Sequence, residues 1–300
     1  MQVDPNYVQT LVGSLNNTSA SEELLSNELS SGLGITSLSS NPTAVAQSTQ
    51  FSAAISQDDS YVQAATTAQS KLQVTDTALG EVVSQLTSAA SLTLGGANGT
   101  NSAQDTSAIA SQLTSIESQV LGLANTSFQG QFVFSGSQGS VQPFTQDTST
   151  TPVTTTYNGD TAVQFATTPA GQKIQTNVPG SSIFTAAGGN VFAALSQTIA
   201  DLTSGASSTT LAADAASITS ALGTVTGQRS VIDNSLSQLE STSTFTQTNE
   251  TVLEAAQSTL ISANTATVAT QLSSDETQTQ ALDSTISTLE QNSLFNYLPR

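Results

Sequence analysis

Apolar residues separated by alternating steps of three and four recur at both ends of this 300-residue chain. That spacing commits each end to a helix with one sticky face in search of a partner. At the start the row is Val8, Leu11, Leu15, Leu25 and Leu29, with Thr18 and Glu22 filling two positions on the same face. At the finish it is Val268, Leu272, Leu282, Ile286 and Leu289. Such a chain is built to pair helices rather than to convert a substrate.

Composition narrows the reading. Hydrophobic residues make up 36% of the chain and aromatics 5%, with no tryptophan, which is thin for a globular enzyme of this length and suits an elongated shape. The net charge of −18 is opposed by only four basic residues, Lys71, Lys173, Arg229 and Arg300. Without a basic patch, phosphate neutralisation cannot drive nucleic-acid binding, and an anionic membrane surface repels the chain. No apolar run is long enough to span a bilayer, so neither nucleic acid nor membrane insertion is expected. Cysteine and histidine are absent. Disulfides, thiolate chemistry, Ser–His catalysis and His-ligated metals go with them, and no cofactor or metal motif stands in their place. The opening MQVDPNYVQTLVG lacks the basic-then-apolar pattern of a Sec signal.

Punctuation divides the rest. The first helix is predicted from Pro5 to Leu29, ending at Ser31-Gly32-Leu33-Gly34. Asn41-Pro42 opens a second helix carrying Phe51, Ile55, Val62, Ala65, Leu72, Leu79, Val83, Leu86 and Ala90, which Gly95-Gly96 closes. Ser102 with Asp105 signals a capping box for a third helix bearing Ile109, Leu113, Ile116, Val120 and Leu123, expected to fold back on the second. Helix resumes with Val191, Phe192, Leu195, Ile199 and Leu202. Beyond Gly205 runs a seam of Ile218, Leu222, Val225, Ile232, Leu236 and Leu239, with Arg229 in the one polar slot. Arg229 can raise its head to solvent or pair with a carboxylate across the seam. The phase continues to Leu253 and Leu260, with a break expected near Phe245. It slips by one residue before Val268, as a stutter in a nearly continuous helix would make it do.

Between Phe128 and Gly189 short β-prone runs take over: Phe132-Val133-Phe134, Tyr157, Val163-Gln164-Phe165, Lys173-Ile174 and Ile183-Phe184. Gly136, Asn158-Gly159, Ala170-Gly171 and Pro179-Gly180 separate them, with Asn158-Gly159 the best hairpin signal. Phe132, Phe134, Phe144 and Phe165 are expected to form the small core of this insert. Asp58-Asp59 and Asp275-Glu276 read as solvated helix faces, since adjacent helical residues do not face each other. The fold class that follows is mainly α with a small β-rich insert: an elongated rod of long antiparallel helices with terminal coiled-coil helices. Its expected parts are terminal coiled-coil assembly helices at 1–40 and 250–300, a helical rod at 41–128 and 190–249, and a β-rich outer domain at 129–189.

Several stretches resemble the flagellin superfamily, and within it the hook–filament junction proteins. Leu29-Ser30-Ser31-Gly32-Leu33 is similar to the break after the first helix, and Asn41-Pro42-Thr43-Ala44-Val45-Ala46 to a proline-containing helix start. Leu123-Ala124-Asn125-Thr126, then Gly130-Gln131-Phe132-Val133-Phe134-Ser135-Gly136 and Pro143-Phe144, resemble the entry into the outer domain. Gln228-Arg229 resembles the second long rod helix, and Ser293-Leu294-Phe295-Asn296-Tyr297-Leu298 the closing motif; Pro299-Arg300 is nearer to how flagellins end. The resemblance implies a secreted structural part of the bacterial flagellum, exported by the type III route with a flagellar export chaperone. It implies an adaptor that self-associates in a ring and joins the hook-side junction protein (hook-associated protein 1) to flagellin, or else a flagellin forming the filament itself. The expected assembly residues are Leu11, Leu15, Leu25, Leu29, Leu253, Leu260, Leu272, Leu282, Ile286 and Leu289, plus a tip of Leu294, Phe295, Tyr297 and Leu298.

Overall fold

A computed structural model describes residues 5–35, 41–99 and 101–291. Five helices carry most of the chain: α1 (Pro5–Ser31), α2 (Pro42–Gly96), α3 (Ala103–Ala124) and, after the insert, α6 (Ser208–Ile261) and α7 (Thr265–Gln291). The insert holds four two-stranded antiparallel sheets: β1 (Ser127–Phe128) with β2 (Gln131–Phe132), β3 (Phe144–Asp147) with β4 (Thr154–Tyr157), β5 (Phe165–Thr167) with β6 (Lys173–Gln175), and β7 (Thr185–Ala186) with β8 (Gly189–Asn190). The one-turn helix α4 (Gly180–Ile183) precedes β7, and α5 (Val191–Ser204) follows β8. Mainly α with a small β-rich insert is the class found. The chain divides into two compact units, a terminal one of Met1–Ser56 with Glu250–Arg300 and a central one of Gln57–Asn249, and α2 and α6 supply residues to both.

Local chemistry sets the helix ends. Gly32, at φ +70°, stops α1 in the left-handed conformation that glycine adopts without a Cβ clash. Ser102 and Asp105 form the expected capping box: Ser102 Oγ accepts from Asp105 N at 3.2 Å, and Ser102 N donates back to the carboxylate at 3.0 Å. Asn190 caps α5 through a bond from Ala193 N, 2.9 Å.

α6 does not break near Phe245, which is 71% exposed on an unbroken helix. Its threonines are satisfied within the helix, Thr242, Thr244 and Thr248 each donating to the carbonyl four residues back. Ser243 and Thr246, both buried, keep the seam spacing through the polar stretch. The interruption comes instead at Ser262-Ala263-Asn264, so the phase slip before Val268 is a real break, not a stutter. There the backbone crosses to the break after α1: Gly34 N donates to Ile261 O at 2.8 Å and Ala263 N to Gly32 O at 2.9 Å. Asn264 then starts α7, accepting from Thr267 N.

The central core follows one heptad line on α2, through Asp58, Tyr61, Ala65, Leu72, Thr75, Leu79, Val82, Leu86, Ala89 and Thr93, all buried. Val62, Val83 and Ala90, expected at its centre, lie on its flank, one residue along from Tyr61, Val82 and Ala89. Leu113, Ile116 and Val120 of α3, Leu195 and Leu202 of α5, and Ile218, Val225, Ile232 and Leu239 of α6 complete it. The close backbone approach of α3 is to α5, whereas α2 and α3 meet through side chains of the shared core.

The insert departs further from expectation. β4 pairs with β3, so Asn158-Gly159 is not a hairpin loop; Asn158 N instead donates to Pro143 O at 2.8 Å. Ala170-Gly171 does lie in the β5–β6 loop. Ile183-Phe184 sit at the end of α4 rather than on a strand, because Phe184 N donates to Gly180 O as a helical turn closes. The aromatic core is Phe134, Phe144, Phe184, Phe192 and Tyr157, with ring centroids 5.1 to 5.8 Å apart in mostly tilted or edge-on pairs. Phe132 is only half-buried, and Phe165, at 52% exposed, lies outside this core on a short strand.

Candidate assembly surfaces

The terminal unit presents two seams. In the first, α1 lies antiparallel on α7, as the Leu33–Ser262 bridge at one end and the side-chain bonds further along require. Leu11, Leu15 and Leu25 of α1, and Leu272, Leu282, Ile286 and Leu289 of α7, are half-buried; Leu29 is 40% exposed. Val268 is buried. Between the apolar stretches the two helices place polar side chains against each other. Ser21 Oγ donates to Asp275 Oδ2 at 2.7 Å, and Thr279 Oγ1 donates to Glu22 Oε1 at 2.6 Å. Counting outward in heptad steps sets Leu25 level with Leu272, Leu15 with Leu282, and Leu11 with Ile286. The polar slots noted in the first helix thus meet polar slots of the last.

This corrects the reading of Asp275. With only 9% of its surface exposed, it is a seam residue, and Glu276 is the solvated member of the doublet. The same holds for Asp58-Asp59 in the central unit: Asp58 is buried and accepts from Asn249 Nδ2 at 2.8 Å, while Asp59 is exposed. A doublet on a helix puts one carboxylate in the seam when a donor waits there. The polar pairing was open to discovery from spacing alone. Aligned antiparallel, the two rows bring Thr18 and Glu22 to the level of Thr279 and Asp275.

In the second seam the last turns of α6 face the first turns of α2. Gln257 Nε2 donates to Ser52 Oγ at 2.7 Å and to Ser48 O at 3.1 Å. Leu253 and Leu260, half-buried, flank Gln257 on α6 and so belong to this seam rather than to the α1–α7 pair. Leu294, Phe295, Tyr297 and Leu298 lie outside the described residues.

Across the terminal unit only two apolar residues among those described are buried, Ala44 and Val268. Tyr7, Val8, Val12, Leu24, Leu29 and Leu33 of its first segment and Val252 are open to solvent. No lysine or arginine occurs among its described residues. Within the central unit, Arg229 pairs with Asp76 of α2 through two parallel bonds, Nε to Oδ1 at 2.8 Å and Nη2 to Oδ2 at 3.0 Å. Pairing, not a raised head, is its fate. No described helix is long and apolar enough to cross a membrane.

Entry from α3 into the insert is equally defined. Asn125, the C-cap of α3, clamps Phe144 by donating to its carbonyl and accepting from its N–H, both at 3.0 Å. Asp160 holds the Gly136 turn by accepting from Ser137 N at 2.8 Å, from Ser137 Oγ and from Ala162 N at 3.0 Å. Gly136, at φ +74°, lies against Asp160 where a Cβ would collide.

Comparison with known proteins fits this architecture. Residues 6–139 match the bacterial flagellin N-terminal helical region. Flagellar hook-associated protein 3 of Salmonella typhimurium is 29% identical over 143 residues, covering 47% of this chain and 45% of that protein. The chain thus matches a little under half of that relative's length. A solved structure of a putative flagellar hook-associated protein from Vibrio parahaemolyticus superposes with a TM-score of 0.66 at 21% identity, covering 74% of this chain and 99% of that one. Flagellar hook associated protein-3 of Legionella pneumophila gives 0.63 at 17% identity, covering 72% and 98%. Residues 6–139 are thus similar to the flagellin-type N-terminal helical region, and the fold is of the kind solved for hook-associated protein 3.

Proposed function

We propose that the chain is a structural component of the bacterial flagellum, an adaptor that joins the hook-side junction protein to the flagellin filament through its terminal helices. The observation that carries this reading is the unfinished burial of the terminal unit, whose leucine rows are half-covered while Ala44 and Val268 alone among its described apolar residues are buried. Covering what remains exposed of a leucine such as Leu29 contributes roughly 1 kcal/mol, and repetition around a closed ring of copies makes the joint durable. Leu11, Leu15, Leu25, Leu29, Leu272, Leu282, Ile286 and Leu289, with Leu253 and Leu260 on the second seam, are the assembly residues; Leu294, Phe295, Tyr297 and Leu298 extend the set. The protein is secreted through the flagellar type III route with an export chaperone, and its role is mechanical. Immuno-electron microscopy of detached flagella tests this. Label confined to a narrow band at the filament base is the expected result; label along the whole filament identifies a flagellin instead.

A further inference from the structure

Two cations of the central unit, Lys71 and Lys173, have no carboxylate within ion-pair distance among the described residues, and of these Lys71 is the half-buried one. Arg229 is held by Asp76, and Lys173 stands exposed on β6. Lys71, on α2, is half-buried in a groove of about 540 Å³ between α2, the β1–β2 hairpin and β5. No carboxylate among the described residues lies within ion-pair distance of it; its ammonium reaches only Gln164 Oε1, at 3.5 Å. Burial without a partner pulls its pKa below the ordinary lysine value. In a chain of 22 acidic and four basic residues, a half-buried cation left unpaired is a conspicuous exception.

The groove around it is equipped for contact. Phe165, 52% exposed, and Phe128 offer ring surface, and Gln129, Gln131 and Gln164 offer amides. Gln129 occupies the first position of the two-residue turn Gln129-Gly130, at φ +50°, the one positive-φ non-glycine among the described residues. Asn or Gly is the usual occupant of such a turn. A longer amide held there at a backbone cost lines the groove instead.

We propose that this groove is a contact between copies of the chain, in which Lys71 receives a carboxylate of the neighbouring copy. Charge complementarity selects that occupant. Copies carrying −18 repel one another, so close packing side by side is favoured where an unneutralised cation lies at the interface, and Lys71 is the half-buried one. The inference rests on copies assembling around a ring, as proposed above, and adds a central-unit contact to the terminal seams.

The composition supplies a clean test, since Lys71 and Lys173 are the only lysines. Unlabelled and nitrogen-15-labelled full-length protein, mixed at physiological ionic strength, are treated with a zero-length carbodiimide and analysed by mass spectrometry. The expected result is a mixed-isotope adduct joining Lys71 to an Asp or Glu of the other copy. Lys71→Met, which keeps the aliphatic stem, should abolish it and weaken self-association roughly tenfold, while Lys173→Met leaves both unchanged. Adducts of Lys71 confined to one isotope, or Lys71→Met protein that self-associates like the parent, overturn the contact. So does a Lys71 that binds glucuronic acid on the monomer and gives no mixed adduct. If the variant still labels a band at the filament base, the adaptor reading stands without this contact; a mixed adduct in a protein absent from flagella leaves the contact without the adaptor.

Discussion

Single carboxylates divide by whether a partner meets them. Asp76 has one, and its two parallel bonds to Arg229 join α2 to α6 at a site that stays partly solvated, with 25% and 32% of the two side chains exposed. Solvent screening limits what such a pair contributes. A double-mutant cycle with Asp76→Asn and Arg229→Met should therefore return a coupling of about 1 kcal/mol in urea unfolding; a coupling near zero would make the pair incidental. Glu117 and Asp214 are buried with less help. Glu117, which accepts from Gln146 Nε2 at 2.9 Å, is pushed by burial up to about 7. Asp214 is pushed up to about 6 by burial and by neighbouring Asp201. Both folded-state values lie above the unfolded ones, so the native state holds these protons more tightly. The stability they confer is complete below about pH 4 and is lost as pH rises through 6 to 7. The urea midpoint should accordingly fall between pH 5 and pH 8. Glu117→Gln, which keeps the acceptor for Gln146 and removes the charge, should raise the midpoint at pH 8 and flatten that slope.

Helix pairing is where spacing told most and least. The row on α1 and the row on α7 were legible as seams from leucines alone, because a three–four step has no other use in a soluble helix. What went unread was that interruptions matter as much as leucines. Thr18 and Glu22 interrupt the apolar row, yet Glu22 meets Thr279 while Ser21 meets Asp275. On α2, adjacent pairs such as Tyr61-Val62 and Val82-Val83 let apolar spacing run through either member, and the buried line takes Tyr61 and Val82. In the insert, two-residue strands leave too little pattern to read, and tertiary packing of Phe144 and Phe184 decides the backbone instead. A buried polar layer that is satisfied in one register only should specify that register at a cost in stability. Ser21→Ala, which strips Asp275 of its donor, should destabilise the α1–α7 pair by roughly 1–3 kcal/mol. Replacing Thr18, Glu22, Asp275 and Thr279 together by leucine should stabilise the pair and loosen its register. Because the chain has no cysteine, introduced pairs report this directly. Cysteines at 25 and 272 should oxidise in both backgrounds, and a pair displaced by one heptad, at 15 and 289, only in the all-leucine one. Equal trapping of the displaced pair in the parent would show that the polar layer sets nothing.

Burial is distributed unevenly over the whole molecule, and stability should follow it. The continuous apolar core runs from Tyr61 to Leu239 and lies wholly within the central unit, whereas the terminal unit relies on half-covered leucines and polar bonds. Local opening free energy scales with buried apolar contact, so the two units should not exchange hydrogen alike. In the unassembled full-length protein, amides of α1 and α7 should exchange well before those of α2 between Ala65 and Thr93 or of α3. Leu15→Ala with Leu282→Ala should speed exchange in α1 and α7 further and leave Ala65–Thr93 unchanged, since those leucines contribute nothing to the central core. Assembly should then slow exchange in the terminal helices by covering what the single chain leaves open, and the paired alanine variant should fail to assemble although its central unit is intact. Uniform protection from α1 to α7 in the lone chain would mean that the seams are already complete, and the terminal leucines would lose their reason to bind another copy.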